Sequence, residues 1–152
     1  MILIGLPAAG KTTFYRHYFA ATHQHVSKDL WPNATARDAR QRRTVAAALS
    51  AGASVVVDNT NPTAADRRAL IELARAHGAR VVGYFLDVTT RQAVARNSGR
   101  TGRAKVPNVA IFTVAKRLEP PRLAEGFDQL FHVELAADRS VTVREVQDDA
   151  QA

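Results

Sequence analysis

Three short stretches of this chain concentrate residue types that handle phosphate or move a proton. The first, Gly5-Leu6-Pro7-Ala8-Ala9-Gly10-Lys11-Thr12, matches G-x-x-x-x-G-K-[ST] in full, after an apolar run and before a stretch at helical spacing. Glycines let such a backbone curl until successive N–H groups point inward, and the helix behind adds its positive end. A polyanionic phosphate chain fits that cradle. Gly5, Pro7, Ala8, Ala9, Gly10, Lys11, Thr12 and Thr13 are therefore the expected nucleotide-binding residues, with ATP and Mg²⁺ as cofactors. Lys11 is expected to reach the β and γ phosphates, and the Thr12 hydroxyl to ligate Mg²⁺.

The second stretch, His25-Val26-Ser27-Lys28-Asp29, ends an apolar run on a carboxylate. Open parallel sheets present their ligand crevice beyond strand ends, so Asp29 is a candidate general base for an incoming hydroxyl. The same carboxylate could simply cap a helix. The third stretch, Val55-Val56-Val57-Asp58-Asn59-Thr60-Asn61-Pro62, puts Asp58 at the end of a buried run. Asp58 is expected to act near Mg²⁺, either through metal-bound water or by orienting an arginine. Asn59 and Asn61 are candidate substrate contacts, although Asn-Thr-Asn before proline also suits a turn. Between Arg96 and Lys105, basic residues alternate with Gly99 and Gly102, a composition suited to a lid. Arg100 and Arg103 are the candidates for neutralising charge that builds up during transfer. A plain surface loop is the competing reading.

These residues need a scaffold, and the rest of the chain supplies its signals. The runs at Ile2–Gly5, His25–Ser27, Ser54–Asp58, Arg80–Leu86 and Leu130–Leu135 read as strands. Two of them, Val55–Val57 and Val81–Leu86, do not alternate with polar residues, as expected for strands covered on both faces. Helical spacing covers Lys11–Ala21, Arg37–Ala51, Ala64–His77, Thr90–Ser98 and Asn108–Leu118, with Gly52 and Gly78 just past helix ends. Such alternation predicts an α/β P-loop NTPase fold: about five parallel strands with helices on both faces and a small basic lid. One domain is expected over 1–137, followed by a tail over 138–152 that holds a short strand near Val141–Val146 and then frays.

Composition narrows the partners. Hydrophobic residues at 46% and charged residues at 23% fit a folded soluble domain, and the apolar Met1–Leu6 run is too short for a signal segment or a membrane span. Cysteine is absent, which rules out disulfide frames and makes a reducing cytoplasm the expected location. The formal charge of +7 favours polyanions, with basic residues concentrated at Arg37, Arg40, Arg42 and Arg43 and again at Arg96, Arg100, Arg103 and Lys105. No histidine pair has metal-ligand spacing. Trp31, Tyr15 and Phe19 are either core or base-stacking residues.

Taken in order, Gly5 to Thr13 with Phe14, Val26-Ser27-Lys28-Asp29, Val57-Asp58-Asn59-Thr60-Asn61-Pro62 and Leu123-Ala124-Glu125-Gly126-Phe127 resemble the kinase domain of the polynucleotide kinase/phosphatase family. The resemblance runs from about Ile2 to Glu134. It implies transfer of the γ-phosphate of ATP to a 5′-hydroxyl of DNA or RNA, with Asp29 as base and the Arg96–Lys105 segment as lid. Arg37 falls nearest to the basic residue with which that family holds nucleic acid. Lys28 stands where the family commonly has arginine, which keeps the charge and loses the bidentate fork. No phosphatase or ligase segment is recognisable, so a role in end repair implies separate phosphatase or ligase partners. The scaffold alone does not name the acceptor. A kinase of a small metabolite, nucleoside or antibiotic hydroxyl, and a nucleotide-binding regulatory module, are the alternatives.

Overall fold

Alternation within the short apolar runs decides how the layers form. A computed structural model describes residues 1–138 and 140–147. Strands β1 (Ile2–Ile4), β2 (Gln24–Val26), β3 (Val55–Asp58), β4 (Val82–Leu86), β5 (Gln129–Leu135) and β6 (Val141–Glu145) make one sheet in the order β2-β3-β1-β4-β5-β6. Helices are α1 (Lys11–Tyr18), α2 (Arg37–Ser50), α3 (Ala64–Ala76), α4 (Thr90–Ser98) and α5 (Asn108–Arg117). Successive strand residues point to opposite faces. Ile2, Ile4, Val55 and Val57 join Val45 and Ala48 of α2 and Leu70 and Ile71 of α3 in one core cluster. Leu3 and Val56 join Phe14 and Tyr15 of α1, Ala93 of α4 and Ile111 of α5 in the other. Each fully buried Val, Leu or Ile contributes about 1.5–3 kcal/mol relative to exposure. The two-sided sheet therefore stabilises both helical layers.

β1 to β5 pair in parallel, as the alternation predicts, and β6 departs from it by running antiparallel to β5 from Phe131↔Glu145 to Leu135↔Val141. The cause is the length of the connection. Ala136 N–H donates to the Ser140 carbonyl in a tight turn, which leaves no room for the crossover that a parallel partner needs. The strand inside the 138–152 segment thus belongs to the same sheet. The fraying expected at the very end falls on 148–152, outside the described residues.

Another difference from the expected elements sits at the end of α1, which stops at Tyr18 and not Ala21. Phe19 leaves helical geometry at φ −128° while its ring packs against Phe14 and Tyr84, and its carbonyl accepts from the Thr22 and His23 N–H groups. Tertiary packing overrides helix continuation here. At the other ends, Thr63 and Thr89 close capping boxes with Asp66 and Gln92 and start α3 and α4.

Register then brings the chemistry together. Leu3 pairs with Asp58 and Val26 with Val57, so the residues that follow β1, β2 and β3 emerge side by side beyond the C-terminal ends of these parallel strands.

Candidate active site

The cradle begins where β1 ends. Gly10, the residue before α1, has φ +95°, a left-handed conformation that side chains disfavour, and a Cβ there would lie 3.3 Å from the Arg96 guanidinium. Ala8 is also left-handed at φ +63°, so the loop turns twice. Gly5 N–H donates to the Thr60 carbonyl at 3.1 Å and ties the cradle to the segment after β3. Lys11 is buried, and its Nζ donates to the carbonyls of Gly5 at 3.1 Å and Leu6 at 2.7 Å. Burial pulls the Lys11 pKa down to about 8; Asp58 opposes this, Arg100 adds to it, and Asp29 opposes it.

That value carries a pH prediction. Between about pH 8 and the unfolded value of 10.5 the unfolded chain holds this proton and the folded chain does not, so this group's contribution to stability rises with pH across that window. A bound phosphate chain favours the charged ammonium. Nucleotide affinity is therefore expected to fall as pH rises through about 8, with proton uptake on binding near that pH. Calorimetry in two buffers of different ionisation enthalpy measures the uptake. Binding that releases no buffer-dependent heat, with affinity flat across the window, would remove Lys11 as a phosphate contact.

Asp58 is 4% exposed, and one of its oxygens does two jobs. Oδ2 accepts from Thr12 Oγ1 at 2.7 Å and lies 2.8 Å from His25 Nε2. Of the two roles expected for Asp58, orienting an arginine is not what the structure shows: among the described residues its partners are Thr12 and His25. The neighbour that replaces the arginine is held in turn by stacking of its ring on Tyr15, centroids 4.3 Å apart. A hydroxyl and a carboxylate meeting at a phosphate cradle fit the sparse protein ligand set that Mg²⁺ takes beside phosphate oxygens and water. Among the described residues no group of three or more His, Asp or Glu forms an all-protein cage.

Asp29 is exposed, in a single 3-10 turn, Lys28–Leu30, that follows β2. Capping is not its task, because Ser27 caps that turn by accepting from Asp29 N–H at 3.2 Å. Its carboxylate is left to the cleft. Asn59 holds the turn in place: its Oδ1 accepts from Lys28 N–H at 3.0 Å and its Nδ2 donates to Gln41 Oε1 of α2 at 2.6 Å. A backbone N–H can only donate, so the orientation of both amides is determined. Lys28 pairs with Asp38 of α2, and the Arg37 guanidinium lies 3.5 Å from the Lys28 carbonyl. The Lys28 ammonium beside Asp38 holds that carboxyl below its ordinary value.

Asn61 faces inward. It is 6% exposed, sits at φ +44° and donates from Nδ2 to the Leu3 carbonyl at 2.7 Å, which leaves its amide joining β1 to the loop. Both asparagines expected to contact substrate thus have their amides committed to the scaffold. Arg67, fully buried on α3, binds the Asn61 carbonyl through NH1 at 3.0 Å and Glu125 through Nε and NH2 at 2.7 and 3.0 Å. This pair joins the third chemical stretch to Leu123-Ala124-Glu125. Gln41, Arg67 and His25 were not singled out by type or spacing, since each acts through a partner distant in the chain.

The parts share one open cleft of about 1220 Å³. Its walls include Pro7, Ala8, Gly10, Lys11, Thr12 and Thr13 of the cradle, Asp29, Arg37, Asp58, Asn59 and Asn61, and Arg100 and Arg103 from the segment between α4 and α5. Gly5 and Ala9 lie behind it, with Ala9 fully buried. Arg96, on the last turn of α4, packs against the cradle at Gly10, a contact that its place in a basic run does not reveal.

A phosphate cradle closing the first strand of a mostly parallel sheet covered on both faces, with a buried lysine and a Thr–Asp pair, defines a P-loop nucleotide-binding domain. The chain belongs to the AAA domain family, whose model matches residues 1–121. A protein of Acanthamoeba polyphaga mimivirus named bifunctional polynucleotide phosphatase/kinase is 28% identical over 93% of this chain and 34% of its own. The protein of that name from Schizosaccharomyces pombe is 25% identical over 88% of this chain and 33% of its own. This chain therefore spans about a third of the length of these relatives. Among solved structures, a gluconokinase from Sinorhizobium meliloti 1021 superposes with a TM-score of 0.64 at 21% identity, over 89% of this chain and 81% of its own. That likeness concerns the fold.

Proposed function

We propose that this domain transfers the γ-phosphate of ATP to the 5′-hydroxyl of a DNA or RNA end. The observation that carries the proposal is the placement of Asp29, whose turn is capped by Ser27 and which lies on the wall of the cleft that the phosphate cradle opens into. The likeness to two polynucleotide phosphatase/kinases supports the acceptor class. So does an open cleft walled by Arg37, Arg42, Arg100, Arg103 and Arg117, which suits a chain of phosphodiesters better than a small neutral sugar.

In this reading Lys11 and the cradle N–H groups hold the phosphates. Thr12 and Asp58 would hold Mg²⁺, which when bound neutralises phosphate charge. Asp29 accepts the proton of the acceptor hydroxyl as its oxygen bonds to the γ-phosphorus, and the bond from that phosphorus to the β–γ bridging oxygen breaks, releasing ADP. Arg100 and Arg103 stabilise the charge on the transferring group. In this reading the reaction takes place in a reducing cytoplasm, and separate phosphatase or ligase partners would act on the same ends. A second reading keeps the same machinery with the hydroxyl of a small metabolite, nucleoside or antibiotic as acceptor, since a shared kinase fold does not name the acceptor.

Incubation with γ-labelled ATP, Mg²⁺ and 5′-OH oligonucleotides tests the choice. Labelled 5′ ends are the expected product. Label that goes only to small alcohols, with every DNA and RNA end left unmodified, would transfer the assignment to the second reading.

A further inference from the structure

The lid segment between α4 and α5 is closed at its neck by one buried amide. Asn97, 1% exposed in the last turn of α4, donates from Nδ2 to the Val106 carbonyl at 2.6 Å and to Asn108 Oδ1 at 3.1 Å. Its Oδ1 accepts from Val106 N–H at 3.0 Å. Both backbone groups of a single residue, nine positions later, are thus taken by one side chain acting as a surrogate peptide. Buried amides satisfied on both ends are costly to break, because each lost partner leaves a desolvated polar group behind.

What the neck encloses gives this clamp its meaning. Residues 98–105 carry Arg100 and Arg103, both on the cleft wall. Inside the loop, Arg100 N–H donates to the Asn97 carbonyl at 3.0 Å, the Arg100 guanidinium to the Ala104 carbonyl at 3.1 Å, and Lys105 N–H to the Gly102 carbonyl at 3.2 Å. The segment therefore has an internal frame as well as a closed base. A loop tied at its neck moves with its flanking helices, whereas an untied loop of this length and glycine content samples many conformations.

We infer that Asn97 is the positioning residue of the lid, holding Arg100 and Arg103 over the phosphate cradle so that any closure is a motion of the α4–α5 hairpin as one body. The effect on catalysis rests on the phosphotransferase reading; the clamp itself does not. Asn97 touches no substrate in this scheme. It acts by cutting the number of arrangements from which the two arginines must be recovered in each turnover.

The test uses the full chain with Asn97→Ala and Asn97→Asp, the second keeping size and the acceptor for Val106 N–H while facing the Val106 carbonyl with an oxygen. Trypsin cuts after Arg100, Arg103 and Lys105, and mass spectrometry separates those cuts from others. In both variants lid cleavage is expected to accelerate about tenfold or more, the response to opening a buried hydrogen-bonded neck. The kcat for oligonucleotide labelling is expected to fall roughly 10–100-fold with ATP affinity unchanged, as for misplaced charge-stabilising groups.

If Asn97→Ala does not fold, the near-isosteric Asn97→Asp carries both measurements. Unaltered lid cleavage in a folded variant would overturn the clamp. Faster cleavage with unaltered kcat would overturn its role in positioning the arginines. Should the wild-type chain label no 5′ end, the proposed acceptor fails, and the cleavage comparison still decides the clamp.

Discussion

Replacing Asp29 by alanine is expected to lower phosphoryl transfer by about 10²–10⁴-fold, the usual span for loss of a positioned general base. Nucleotide affinity should remain. The reason for the split lies in the anchoring of the two sites: the phosphates are expected on the loop from Gly5 to Thr12, whereas Asp29 sits on the separate turn after β2. Among the described residues, Asn59, itself braced by Gln41, holds that turn at the Lys28 N–H, and Asp38 and Arg37 of α2 hold it at the Lys28 ammonium and carbonyl. Truncating the Asp29 carboxylate leaves those contacts intact, since the turn uses its backbone N–H and not its side chain. Single-turnover labelling and ADP binding, measured on the same preparation, separate the terms. A variant that transfers phosphate at the wild-type rate would remove Asp29 from the chemistry and move the search for a base elsewhere along the cleft.

Loss of Glu125 is expected to have the largest effect on stability. Arg67 has no exposed surface, and its guanidinium is held at Nε and NH2 by Glu125 and at NH1 by the Asn61 carbonyl. Glu125→Ala strands a buried charge on two of its donors, and breaking one side of such a pair costs about 3–5 kcal/mol. That is a large part of the total for a domain of this size, since native stability is about 5–15 kcal/mol. Urea unfolding measures it directly. Glu125→Gln, which keeps an acceptor oxygen and loses the charge, should cost less than alanine. A cost near zero for Glu125→Ala would mean that Arg67 finds water or another partner, and that the link between the loop after β3 and the turn before β5 is not structural glue. Activity should fall alongside stability, because the Asn61 carbonyl belongs to the loop that follows Asp58.

Much of this site could be read from residue types because its chemistry is local in the chain. A phosphate cradle is made by consecutive backbone groups, so the spacing Gly5, Gly10, Lys11, Thr12 is itself the geometry, and the observed left-handed turns at Ala8 and Gly10 follow from it. The covered strands were equally legible, since Val55, Val56 and Val57 must bury on both faces. Asp29 and Asp58 could be placed at strand ends for the same reason.

Other features depended on which strands become neighbours. β1 lies between β3 and β4, and that order alone sets Thr12 against Asp58, Gly5 against Thr60 and Asn61 against Leu3. These contacts join residues 46, 55 and 58 positions apart, a separation at which the type of one residue says nothing about its partner. Asn59 and Asn61 illustrate the limit: their polarity suggested substrate, while folding turned their amides to Lys28, Gln41 and Leu3. The direction of β6 was likewise decided by a turn too tight for a crossover. The chain by itself determined which stretch of backbone is shaped for a phosphate chain; tertiary structure decided which side chains face that cleft, because a buried polar group must first satisfy its own hydrogen bonds.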